Sequence, residues 1–84
     1  MTKSRIGKYH EYEIIVLQFL IKQKDLVGSS YIKRILKIPR SSLYDVLGKL
    51  RYYGYIVWLG EPQDWISEIG ITEKGRNYLQ SLRN

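Results

Sequence analysis

Apolar residues recur at helical spacing through residues 8–24. Tyr12, Ile15, Val16, Phe19 and Leu20 fall on one face of a 3.6-residue repeat. Ile14, Leu17 and Ile21 form a second stripe on nearly the opposite face. A surface helix of a monomer needs only one such stripe. The second one therefore predicts a cover, either the hairpin and last helix of the same chain or a second copy, and the second copy is the favoured reading. Residues 1–7 have little apolar content and are expected to form a flexible basic arm. Asp25-Leu26-Val27-Gly28 breaks the pattern, and Ser29 or Ser30 supplies an N-cap hydroxyl for a short second helix. That helix runs to about Lys37 and is expected to bury Ile32, Ile35 and Leu36. Ile38-Pro39 ends it, because proline disfavours helical geometry in the residue before it. The same proline is well suited to open the next helix.

The third helix, 40–53, has Leu43, Val46, Leu47, Leu50 and Tyr53 on one narrow face. Ser41, Tyr44, Asp45, Gly48, Lys49 and Tyr52 lie outside it, and Gly54 terminates it. The period then falls from 3.6 to 2. Segments 55–59 and 65–71 are rich in β-branched and aromatic residues, with a turn-rich loop at 60–64, which predicts a hairpin with Trp58 and Trp65 as a cross-strand pair. Thr72 is expected to cap a last helix from Glu73 to about Leu82, with Tyr78, Leu79 and Leu82 packed on the first helix and Gly75 allowing close approach. The fold class is mainly α with a small β-hairpin, as one domain over 8–84.

Charge sharpens this picture. The 84 residues carry a net charge of +6. Lys22, Lys24, Lys33, Arg34, Lys37, Arg40, Lys49 and Arg51 stand against only Asp25 and Asp45, so residues 22–51 hold the whole excess. A basic excess gathered in one stretch is the footprint of a polyanion binder. Cysteine is absent and there is a single histidine, His10, which excludes disulfides, thiolate metal sites and most nucleophile–base pairs. His10 reads as structural or dimer-facing. No apolar run is long enough to span a membrane. An enzyme is not expected, and no cofactor, metal or small-molecule effector is indicated.

Two stretches carry a family likeness. Ile38-Pro39-Arg40-Ser41-Ser42-Leu43-Tyr44-Asp45-Val46-Leu47-Gly48-Lys49-Leu50-Arg51-Tyr52-Tyr53-Gly54-Tyr55-Ile56 looks like a third helix running into a first wing strand. Ile71-Thr72-Glu73-Lys74-Gly75-Arg76-Asn77-Tyr78-Leu79 looks like the strand-to-helix step that follows a wing. With the element order, these resemble the winged helix-turn-helix superfamily and are most similar to small PadR- and MarR-like transcriptional regulators. The resemblance implies double-stranded DNA as partner, a homodimer formed through the first and last helices, and regulation of transcription from the cytoplasm. The loop at the hairpin tip departs from the basic family pattern, since it carries Glu61 and Asp64 and no cation.

On this reading the third helix enters the major groove, where side chains reach base edges, and the helix before it crosses the backbone. Arg40 takes guanine or a phosphate; Ser41, Ser42 and Tyr44 donate to phosphate or base; Asp45 accepts from cytosine or pairs with Lys49. Tyr31, Lys33, Arg34, Lys37, Lys49 and Arg51 are expected to clamp phosphates, which fixes register but not sequence. Tyr31, Tyr44 and Tyr52 are the tyrosines expected at the surface. Ile14, Leu17, Ile21, Tyr78 and Leu82 are the expected dimer contacts. Two other readings stand beside this one. The first is a non-specific architectural, DNA-coating or partition factor; the second is a protein–protein module, favoured by the acidic tip and opposed by the basic stretch.

Overall fold

The computed structural model describes residues 2–60 and 67–82, with side chains from residue 10 onward. Four helices and three short strands follow one another as α1 (Thr2–Ile21), β1 (Val27–Gly28), α2 (Ser29–Leu36), α3 (Arg40–Tyr52), β2 (Ile56–Leu59), β3 (Glu68–Ile71) and α4 (Glu73–Leu82). The strands form an antiparallel sheet in the order β1-β3-β2, with Val27 and Trp58 both opposite Ile69. The protein is thus mainly helical with a small sheet. β1 was not expected, because Asp25-Leu26-Val27-Gly28 reads as a helix break, and two residues are too few to show a period of two. The loop with Glu61 and Asp64, and Trp65 expected beside Trp58, lie outside the described residues.

α1 begins at Thr2, well before the expected start, so the backbone of 2–7 continues the helix instead of forming a separate arm. Its buried face is Glu13, Val16, Leu17 and Leu20, at i, i+3, i+4 and i+7. This face takes members of both expected stripes. Leu17, expected at a dimer contact, is wholly buried in the subunit's own core, whereas Ile15 is 39% exposed. The reason is that α1 is covered within the chain, being in contact with α2, α3, α4 and β3. The core these elements enclose includes Val16, Leu17, Ile32, Leu43, Leu47, Leu50, Ile56 and Ile69.

The turn between α2 and α3 is tightly specified. Lys37 closes α2 in the left-handed region at φ 57°, and its N–H donates to the Lys33 carbonyl at 2.9 Å. Ile38 is buried between the helices, and Pro39 caps α3 from its extended conformation, with its carbonyl accepting from the Leu43 N–H at 2.8 Å. Ser29 does not cap α2, whose N-cap is Gly28. Its buried hydroxyl instead lies 3.0 Å from that of Ser67, tying the start of α2 to the entry of β3. Ile32 is buried as expected; Ile35 is exposed, because an eight-residue helix resting on one side offers room for few buried positions.

At its far end α3 stops in a Schellman motif. Gly54 adopts φ 80°, its N–H donates to the Arg51 carbonyl, and the Tyr55 N–H donates to the Leu50 carbonyl. Tyr53 is thereby turned out and is 45% exposed, not buried with the rest of its stripe. Thr72 joins this end to α4: its hydroxyl donates to the Gly54 carbonyl at 2.7 Å and accepts from the Gly75 N–H at 3.0 Å.

Candidate nucleic-acid interface

The turn at 37–39 brings the last turn of α2 and the first turn of α3 together in the chain. Lys33, Arg34 and Lys37 on one side and Arg40 and Ser41 on the other are all exposed. Asp45 is exposed one turn later, Ser42 is half-buried, and Arg51 is exposed near the end of α3. Among the described residues no carboxylate forms an ion pair with Lys33, Arg34, Lys37, Arg40 or Arg51. These five cations are therefore exposed, with no direct carboxylate partner among the described residues, which is the electrostatic condition for attracting a polyanion.

Three of the arginines rest on aromatic rings. The Arg34 guanidinium lies 5.7 Å from the centroid of Tyr31, whose ring contacts Phe19 at 6.1 Å. Arg40 lies 5.5 Å from Tyr44, and Arg51 lies 5.9 Å from Trp58. Tyr44 and Trp58 are themselves stacked, with centroids 6.1 Å apart and planes inclined by 18°. Tyr44, expected at the surface, is half-buried for this reason: its ring turns toward β2 instead of outward. Tyr31 and Tyr52 are exposed, Tyr52 at 84%.

Lys49 departs from its expected place in this set. Its ammonium lies 2.9 Å from Oε2 of Glu13, a buried carboxylate on α1, and not against Asp45. The hydrogen bond to Glu13 and the attraction of that charge hold the Lys49 ammonium above the usual lysine value. This cation is engaged by the protein's own carboxylate, in a pair that links α1 and α3 at the surface. His10 Nδ1 lies 3.8 Å from the other oxygen of Glu13. Glu13 was missed from the sequence, although the signal was present. It is the one charge in an otherwise apolar i, i+3, i+4, i+7 set with Val16, Leu17 and Leu20, and such a charge requires a partner.

Of the residues expected at a dimer contact, Leu17 is in the core and Tyr78 is half-buried against Tyr55, with ring centroids 4.3 Å apart and planes 9° from parallel. Ile14 and Ile21 are half-buried, and Leu82 is exposed. Ile21 lines a depression of about 250 Å³ with Arg76, Leu79 and Gln80, where α1 meets α4. Among the described residues no group of three or more His, Asp or Glu side chains is placed to hold a metal ion. No helix among the described residues is long and apolar enough to cross a membrane. No protein-family model matches the chain, and neither a curated protein nor a solved structure matches it.

Proposed function

We propose that this chain is a winged helix-turn-helix protein that binds double-stranded DNA, with α3 entering the major groove and α2 crossing the phosphate backbone, and that it regulates transcription from the cytoplasm. The observation that carries this reading is the run of five exposed cations, Lys33, Arg34, Lys37, Arg40 and Arg51, without a carboxylate partner among the described residues, distributed over two helices and the three-residue turn that joins them. Ser41 and Asp45 lie outward on the first half of α3, where a helix inserted by its N-terminal end brings side chains to base edges. The β2–β3 pair then serves as the wing. Lys49 is left out of the contact set because Glu13 already engages it.

A homodimer is part of the proposal, with Ile14, Ile21 and Leu82 on α1 and α4 as the apolar residues partly open to a second copy. Two α3 helices in such a dimer would meet successive major grooves about 34 Å apart on a near-palindromic site. Duplex affinity measured against salt tests the DNA reading. Five neutralised phosphates per chain predict a log–log slope of about −4.5 per chain. A flat salt profile refutes it, and equal affinity for a selected site and bulk DNA moves the proposal to the non-specific coating reading.

A further inference from the structure

Arg40, Tyr44 and Arg51 occupy one stripe of α3. At about 100° per residue their side chains leave the helix within about 40° of one another. Trp58 of β2 packs on that stripe beside Tyr44 and under Arg51. The result is a continuous column, Arg40 on Tyr44, Tyr44 on Trp58 and Trp58 beneath Arg51, with a guanidinium at each end. Both guanidinium carbons lie within the roughly 6 Å over which a ring face attracts a cation. A guanidinium whose carbon is held near a ring is restricted in position, while its N–H donors stay available to an anion.

We propose that Tyr44 and Trp58 are positioning residues of the DNA-contacting face, and that their stacked rings hold Arg40 and Arg51 ready for two phosphodiester groups. This rests on the duplex-binding reading above. The spacing favours phosphates over neighbouring bases. Eleven residues of helix separate the two arginines by about 16 Å along the axis, more than the roughly 12 Å width of the major groove. Two forks so far apart suit the backbones on either side of a groove. The column also gives β2 a role that does not require a cation at the hairpin tip, because the strand acts through Trp58 on an arginine of α3. Free arginines lose rotamer entropy when they bind, and a side chain already laid on a ring loses less, so the rings add affinity without touching DNA.

The test is a pair of double-mutant cycles on the full chain, read as affinity for sonicated duplex DNA over a series of salt concentrations. Trp58→Leu is expected to weaken binding about fivefold, in line with the strength of an exposed cation–ring contact, and to make the salt slope shallower by about 0.9. Trp58→Phe, which keeps a ring face, retains both. In an Arg51→Ala background Trp58→Leu causes no further loss. Tyr44→Leu, Tyr44→Phe and Arg40→Ala form the second cycle with the same expected pattern. Tyr44 is only half-buried, so this cycle stands if Trp58→Leu fails to unfold cooperatively. Folded leucine variants that bind with wild-type affinity and slope overturn the proposal. So do leucine variants that lose as much affinity in the alanine backgrounds as in the parent. A wild-type chain without duplex affinity removes the DNA reading and this proposal with it, whereas a wild-type chain that binds while either overturning result is obtained removes this proposal alone.

Discussion

Lys49 on α3 reaches across to Glu13 on α1, with Nζ 2.9 Å from Oε2 and the carboxylate 5% exposed. The pair is lopsided: the lysine side chain is about half in water and the glutamate is almost entirely out of it. Removing the lysine strands a buried charge, whereas removing the charge on Glu13 leaves an ammonium that water can solvate. Lys49→Met is therefore expected to destabilise the fold by about 1–2 kcal/mol, a value reduced from that of a fully buried pair by the lysine's exposure. Glu13→Gln is expected to cost less. Denaturant unfolding of the two variants gives the comparison, and a Glu13→Gln loss as large as that of Lys49→Met contradicts it.

The same pairing separates Lys49 from the cations proposed to contact DNA. Arg40→Ala and Lys33→Ala are each expected to make the salt slope of duplex binding shallower by about 0.9, the share of one phosphate contact. Lys49→Met, compared at a temperature where it is folded, leaves the slope unchanged. A slope that falls equally for all three returns Lys49 to the DNA-contacting set.

High pH acts on this region from two sides. Burial, and after it the negative charge of Glu13, holds the Tyr78 phenol above the usual 10.0. The hydrogen bond to Glu13 and its charge hold the Lys49 ammonium above 10.5. Each group keeps its proton to higher pH in the folded chain than in the unfolded one. Above about pH 10 the native state binds more protons than the unfolded state, so stability falls as pH rises. The contribution of both groups is fully present below their unfolded values and is lost through their folded ones. The thermal midpoint is expected to decline as pH rises above about 10, and to decline less in Tyr78→Phe. Parallel curves for the two proteins contradict the assignment to Tyr78.

The helices α2, α3 and α4 and the pairing of β2 with β3 were legible in the sequence because each is bounded by residues with strong local meaning. Pro39 opens α3, Gly54 closes it at positive φ, and Thr72 caps α4. Pairings distant in sequence were not legible. Ser29 reads as a cap, yet its hydroxyl meets Ser67, a partner 38 residues on, and only the fold brings them together. The two stripes of α1 predicted a second copy, but the other helices cover much of both, which placed Leu17 in the core. The basic residues of the candidate interface were found by counting charge. The stacking of Tyr44 on Trp58 was not, because helical period places Tyr44 outside the buried face and says nothing of a strand packed beside it.

The core position of Leu17 gives a direct test against its expected dimer role. Leu17→Ala is expected to lower the unfolding free energy by about 3 kcal/mol through lost burial and the cavity left behind. Ile21→Glu, at the half-buried edge of α1, is expected to spare most of the stability and to shift the proposed homodimer to a monomer. Analytical ultracentrifugation together with denaturant unfolding distinguishes them. A Leu17→Ala protein of parental stability would place that side chain outside the core.

Two glycines in helices offer opposite outcomes from one substitution. Gly48, exposed in the middle of α3, has nothing within 4 Å of where a Cβ would stand. Gly48→Ala is expected to stabilise the fold by about 1 kcal/mol, the difference in helix propensity. Gly75, in the first turn of α4, is buried against the Tyr55 backbone, and a Cβ there would overlap the Tyr55 carbonyl and stand 2.9 Å from Cγ1 of Ile71. Backbone cannot move aside as a side-chain tip does, so the overlap outweighs the propensity gain and Gly75→Ala is expected to destabilise by about 2–3 kcal/mol. The loss should appear as a lowered thermal midpoint with the far-ultraviolet helix signal intact below it, since α4 would shift off the sheet before it unwound. If both alanines raised the midpoint, the close packing of α4 on Tyr55 would be wrong, and with it the way Thr72 links the end of α3 to the start of α4.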